Sequence, residues 1–208
     1  MSTFGITVAR HGEILNFNGM GEVKASLKPS TKATYSLSNR AYYVEGQCFK
    51  TEPIMFAEGD YFIRNSDNKK YLVSTIQAEP LAPDLVYLYG IQCNAIVSLY
   101  RESVEIDENR DRKRVWKLVA EDIYCYRDFV DRSGKTTNDG LIPQEIFTLI
   151  ISHKHHVSDG DRIVMKFNQN GEYTDTKFRV ESVGTALVAP DGSNGVNSVQ
   201  MSLDTRNN

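Results

Sequence analysis

"GDYFIRNSDNKKYLVSTIQ" occupies residues 59–77, and "GDRIVMKFNQNGEYTDTKFRVESVG" occupies residues 160–184. Each opens on Gly-Asp, runs through an apolar segment, crosses a polar turn and returns through a second segment rich in Val, Thr and aromatic residues. In "KFRVESV" (177–183), Phe178, Val180 and Ser182 fall on one side and Arg179, Glu181 and Val183 on the other. That is the period of two expected of a half-buried strand. The turns "RNSDNKK" (64–70) and "NQNGEY" (168–173) carry Asn, Asp and Gly, which tolerate positive φ, so both read as hairpin loops.

Aligning the two Gly-Asp pairs matches "YLVSTI" (71–76) to "FRVESV" (178–183), with a longer hairpin in the second copy. The alignment then sets "IQCNAIVSL" (91–99) against "VQMSL" (199–203), because Gln92 follows Tyr71 by 21 residues and Gln200 follows Phe178 by 22. The shared order of strand, Gly-Asp, strand, turn, strand reads as a duplicated β unit. Gly-Asp itself reads as structural: Gly permits the turn and the Asp carboxylate caps it.

Other strand-like runs are "YYVEGQCF" (42–49), "VYLYGIQCNAIVSLYR" (86–101), "KRVWKLVAEDIYCYRDFV" (113–130), "IFTLIIS" (146–152) and "SVQMSL" (198–203). Long amphipathic helical stretches are absent, leaving room for one or two short helices within 10–20, 34–42 or 80–90. The expectation is an all-β protein of two small β-barrel or sandwich-like units, a divergent tandem duplication with few short helices. The units are assigned to residues 1–100 and 101–208.

The 208 residues carry 24 Lys and Arg against 27 Asp and Glu, a net charge of −3, which argues against a generally basic nucleic-acid binder. No apolar run approaches the length of a membrane helix, and the N-terminus lacks the pattern of a signal peptide. Three cysteines, Cys48, Cys93 and Cys125, with no C-x-x-C spacing, read as reduced, buried thiols of a chain made in a cytoplasm.

"SHKHH" sets His153 and His155 on one face if it is a strand, but no carboxylate or Cys lies at ligand spacing, so it reads as a polar strand end rather than a metal site. Nucleophile elbow, phosphate loop and H-E-x-x-H are absent, and no catalytic residue, metal or cofactor is assigned. Two polar segments stand out as contact candidates. One is the loop Asp131, Arg132, Ser133, Gly134, Lys135, Thr136, Thr137, Asn138 and Asp139; the other is the charged turn with Arg110, Arg112, Lys113 and Arg114. The Tyr-rich segments (Tyr42, Tyr43, Tyr87, Tyr89, Tyr100) suit either base stacking in an OB-type module or cores and subunit interfaces, and the acidic balance favours the second.

Residues 87–129, with a Gln-Cys-Asn element ending a strand, a charged turn and an aromatic-rich strand leading to a Cys, resemble a pattern of tailed-bacteriophage neck proteins. The ending "GDRIV…KFRVESVG…VQMSLDTR" is similar to the closing hairpins of head-closure and head–tail adaptor proteins. The resemblance covers residues 87–208. It implies a structural virion protein without enzymatic activity, a ring homo-oligomer at the head–tail interface, assembled in the host cytoplasm. The implied partners are the portal or an adaptor protein, a tail terminator or tail tube, and packaged double-stranded DNA in the channel, with no membrane. The 131–139 loop is then expected to order on a neighbour. The alternatives are a tail-terminator, tail-tube or baseplate component, or a tandem OB-like single-stranded nucleic-acid-binding module.

Overall fold

A computed structural model describes residues 3–17, 19–30, 43–50, 56–106, 110–128, 134–137, 140–143, 146–169, 172–185 and 195–205. The fold is all-β, with one α-helix, α1 (Thr3–His11), and a single 3-10 turn (His153–His155) among the described residues. The first barrel uses β1 (Glu13–Phe17), β2 (Gly21–Pro29), β3 (Tyr43–Phe49), β4 (Tyr61–Arg64), β5 (Lys69–Ala78) and β6 (Leu85–Gln92). They are hydrogen-bonded in the order β1-β2-β3-β6-β5-β4, and β1 pairs β4 to close the ring.

The second barrel uses β7 (Ala95–Ile106), β8 (Arg112–Arg127), β11 (Phe147–Ser152), β12 (Arg162–Gln169), β13 (Glu172–Thr185) and β14 (Val196–Leu203). Its order, β7-β8-β11-β14-β13-β12, is the same winding, closed where β12 pairs β7. The hairpin of β9 (Gly134–Thr137) and β10 (Gly140–Pro143) sits between the second and third strands of this copy as a separate sheet. The duplication is therefore topological, strand for strand.

Gly59 and Gly160 adopt φ of 82° and 83°. The backbone N–H of Asp60 donates to Ala57 O (3.1 Å), and that of Asp161 to Ser158 O (3.1 Å). Each carboxylate accepts back from the first residue of its turn, Ala57 N–H at 2.7 Å and Ser158 N–H at 2.9 Å. Each glycine N–H then donates to the strand beyond the hairpin, to Val73 O and to Val180 O. A β-bulge follows in both copies, between Val73 and Thr75 and between Val180 and Ser182. A preceding acid holds each bulged strand, Glu58 accepting from Ile76 N–H and Asp159 from Val183 N–H.

The bulge corrects the alternation expected of "KFRVESV". Phe178 and Val180 face the core, but the extra residue moves Ser182 out and brings Val183 against the core. It also corrects the alignment after the hairpin. Tyr89 and Gln200 both pair just past the bulge, so "VQMSL" corresponds to residues 88–92 and not to 91–99. The long apolar run 86–101 is two strands, interrupted at Cys93-Asn94. Residues 95–100, placed in the first unit by sequence, thus belong to the second barrel.

Each interior is filled by equivalent side chains. Leu15, Phe17, Phe62, Tyr71, Val73 and Leu88 occupy the first barrel where Val97, Leu99, Ile163, Phe178, Val180 and Val199 occupy the second. Helix α1 overlaps the spans expected to be helical only at Arg10 and His11. Its Val8 packs on Ala82 and Leu85 at the start of β6. The 10–20 span is instead largely β1 and its turn, the later part of 80–90 is β6, and 34–42 lies outside the described residues.

Alanine at Gly160 is expected to cost roughly 1–2 kcal/mol, because its left-handed φ is strained for an L residue while the space around it is open. Gly59→Ala is expected to cost about 1–3 kcal/mol more, since its Cβ would lie 2.8 Å from both His153 Nδ1 and Ser152 Oγ. Denaturant unfolding of the two variants side by side measures the difference; equal losses would contradict it.

Candidate functional site

Two features stand apart from the barrels' own architecture: the seam that joins them and an arm that leaves the second barrel. The seam begins with strands that are apolar on both faces. Leu72 and Ile91 point out of the first barrel, Tyr126, Ile150 and Val196 out of the second, and together with Tyr43 they form a third core. Continuous runs such as "YLV" (71–73) and "LII" (149–151) are explained by this double burial.

"SHKHH" is not a strand end. β11 stops at Ser152, and His153–His155 form the 3-10 turn, capped by His156 in the left-handed conformation at φ 47°. This turn grips the Gly-Asp corner of the other barrel. The buried Ser152 hydroxyl donates to Gly59 O at 2.7 Å, and the Lys154 ammonium forms an ion pair with Asp60. His153 Nδ1 meets Gly195 O at 3.0 Å. In the second barrel the equivalent Asp161 is instead held within its own unit, by the Arg101 guanidinium at 2.8 and 2.7 Å. The two copies of the corner thus serve different ends, one internal and one joining the barrels.

His155 closes the seam. Tyr61 donates its hydroxyl to Tyr124 O (2.9 Å), and His155 Nε2 lies 3.2 Å from that hydroxyl oxygen, placed to donate to it. Burial, and secondarily the neighbouring His156, hold the His155 pKa below the ordinary histidine value. Burial likewise raises Tyr61 above the usual phenol range. Lys70 places its ammonium 3.4 Å from the centroid of the Tyr124 ring, a cation–π contact across the same seam. The thiols are free. Burial pushes Cys48 and Cys93 up to about 12 and raises Cys125 further, so none is a poised nucleophile.

The arm is an elaboration of one copy. In the first barrel β1 ends at Phe17 and turns within a few residues, helped by Gly19 and Gly21 at positive φ. In the second, β7 runs on past the equivalent Leu99 to Ile106, paired with β8 down to Ile106↔Arg112. Here the charged-turn residues are found. Arg110 is at φ 67°, Arg112, Lys113 and Arg114 lie on β8, and Arg114 pairs with Glu102 at 3.2 Å. Val104, Ile106, Leu118 and Val119 are exposed large apolar side chains of this region.

At the base of the arm lies a recess of about 550 Å³ whose walls include Tyr100, Trp116, Lys113, Arg114, Arg162 and Lys177. Arg162 is buried, donates from Nε to Asp204 at 2.7 Å and stacks its guanidinium 4.0 Å from the Trp116 ring centroid. A wider groove of about 930 Å³ takes in Lys69, Lys70, Lys166, Glu121, Asp122 and Asp175 and so carries no single sign of charge. Among the described residues no cluster of three metal-ligating side chains occurs.

Of the 131–139 loop, Gly134, Lys135, Thr136 and Thr137 form β9 instead of open loop, paired to β10 from Gly134↔Pro143 to Thr137↔Gly140. Asp131, Arg132, Ser133, Asn138 and Asp139 lie outside the described residues, as does Tyr42. Sequence singled out the charged turn of the arm but not the arm's length or its exposed apolar side chains, and it did not single out the Ser152–His155 clamp. The signals were present in the alternation of "RESVEI" (101–106) with "RKRVWK" (112–117), and in a histidine run immediately after an unusually apolar strand.

Set against known proteins, the chain matches no family model, no curated protein and no solved structure.

Acid is expected to loosen the seam. A histidine whose folded pKa is lowered binds fewer protons folded than unfolded, so its contribution is complete above the ordinary histidine pKa and is lost as pH falls through it. The thermal midpoint of the native chain should therefore fall between about pH 7 and about pH 5.5, and His155→Gln should flatten that fall. An unchanged slope in the variant would remove His155 as its source.

Proposed function

We propose that this chain is a structural subunit of the neck of a tailed bacteriophage, a head-closure or head–tail adaptor protein that assembles as a ring, joins portal to tail and helps retain packaged double-stranded DNA. The observation that carries the reading is the β7–β8 arm. The closed barrels bury their ring edges, yet the β7–β8 hairpin runs out of the second barrel with exposed apolar side chains. Such an element suits capture by another protein surface more than the binding of a small substrate. The seam supports a mechanical role, because two barrels joined by an apolar core, an ion pair and buried hydrogen bonds transmit force as one unit. The choice of particle rests on the sequence resemblance of residues 87–208 alone.

Mixed with purified portal and imaged in negative stain, the chain is expected to form a ring that caps the portal. Capture by the tail tube alone would move it to the tail-terminator, tail-tube or baseplate class. Binding to neither would defeat the neck reading.

A second reading, a single-stranded nucleic-acid module, is favoured by one observation, the recess with two aromatic rings among four cationic side chains. The six strands of each barrel, against five in an OB fold, count against it. Trp116 is the single tryptophan of the chain, so its emission reports on this recess directly. On this reading single-stranded DNA shifts the emission with a steep salt dependence; a spectrum indifferent to DNA at low salt excludes it.

A further inference from the structure

Barrel closure satisfies strand edges everywhere that the two rings are complete, but the arm lies outside them. β12 pairs with β7 only from Val97 to Tyr100. β11 pairs with β8 only at Tyr126 and Arg127. Among the described residues, no strand pairs with the outer side of β7 from Arg101 to Ile106 or of β8 from Arg112 to Val115 and from Lys117 to Asp122, while Tyr124 O already accepts from the Tyr61 hydroxyl. Open edges of this length are templates for another strand. The side chains they carry are not those of a solvated edge: Val104 is 57% exposed, Ile106 70% and Leu118 50%.

The two edges differ in charge. Arg101 turns away to Asp161, which leaves Glu102 and Glu105 as the charged residues of the β7 segment. The facing β8 segment carries Arg112, Lys113, Arg114 and Lys117. Pairing β8 with a second β8 would set cations against cations, and pairing β7 with β7 would bring carboxylates together, both unfavourable across a strand pair. Pairing β7 with β8 sets opposite signs side by side. The hairpin already uses that combination internally, with Arg114 to Glu102 at 3.2 Å and Lys117 to Glu105 at 3.0 Å.

We propose that the occupant of the arm's edges is a second copy of this chain, the free β7 edge of one arm pairing with the free β8 edge of the next. Arms that point the same way around a common axis bring β7 and the neighbour's β8 together antiparallel, as they run within each hairpin. The contact is heterologous: each copy offers one edge and receives on the other, so repetition closes a ring or extends a fibre. Closure would cover these two edges, as each barrel covers its own within the chain. The proposal deepens the ring of the neck reading and rests on it for the ring alone, since edge pairing needs neither portal nor tail.

Ser103 and Val115 sit opposite each other within the hairpin. Ser103→Cys and Val115→Cys are each made in separate chains, alone and co-expressed, and oxidised; Glu105→Cys with Lys113→Cys is the second pair. A disulfide-linked dimer is expected only in the co-expressed samples. Dimers of equal yield from either variant alone would mean symmetric pairing and overturn the proposal, as would the absence of a link in both mixed pairs. Native mass spectrometry of the unmodified chain separates the two claims. Rings that carry the mixed link but ignore the portal leave edge pairing intact and defeat the neck reading. Portal binding by chains that never link defeats edge pairing alone.

Discussion

Everything in this molecule hangs on a glycine at positive φ followed by a buried aspartate, used twice. The carboxylate of Asp60 or Asp161 closes its own turn, and the glycine N–H reaches across to the strand beyond the hairpin. That cross-link fixes where the hairpin bends and where the bulge falls. The bulge in turn decides which side chains enter the barrel. A small closed barrel has no room for a strand that slips by one residue, because the slip would exchange its apolar and polar faces. The corner is therefore the register pin of each barrel.

The two corners have diverged in what surrounds them. At Asp161 the cation comes from β7 of the same barrel, and the corner stays internal. At Asp60 it comes from the other barrel, and Gly59 offers its carbonyl to Ser152 besides. The same local geometry has become the joint of the whole chain. A Cβ on Gly59 would collide with that joint, while one on Gly160 would meet nothing within 4 Å. The asymmetry continues in the first hairpin of each copy, cut short by Gly19 and Gly21 in one and drawn out into an arm in the other. A duplicated fold has thus kept its winding and altered its outer surface, one copy taking on the joint and the other the arm.

That division suits a protein whose work is assembly. Among the described residues the barrel interiors are packed with apolar side chains, and burial holds the cysteines as unreactive thiols. The groups with unusual surroundings, His155, Tyr61 and Lys154, lie where one barrel meets the other. The shifts of His155 and Tyr61 reflect burial at a joint, which is the common structural origin of such shifts.

The strand content, the duplication, the Gly-Asp corners and the hairpin turns were legible from the residues, because each depends on chemistry between near neighbours: alternation, positive φ, a carboxylate reaching three residues back. Eleven residues separate Asp60 from Tyr71 and seventeen separate Asp161 from Phe178, and the shared corner showed through that difference. The bulge was hidden, since one extra residue in a strand leaves no mark in composition, and the alignment slipped past it. Strands β1 and β2 were missed because "EILNF" and "GEVKASLKP" are short or polar on one side. The joint between the barrels and the open edges of the arm belong to the tertiary structure alone. Whether Lys154 finds Asp60, or β8 gains its second neighbour only at Tyr126, depends on residues far apart in the chain and on where two closed rings come to rest against each other. Local pattern carries no information about that distance.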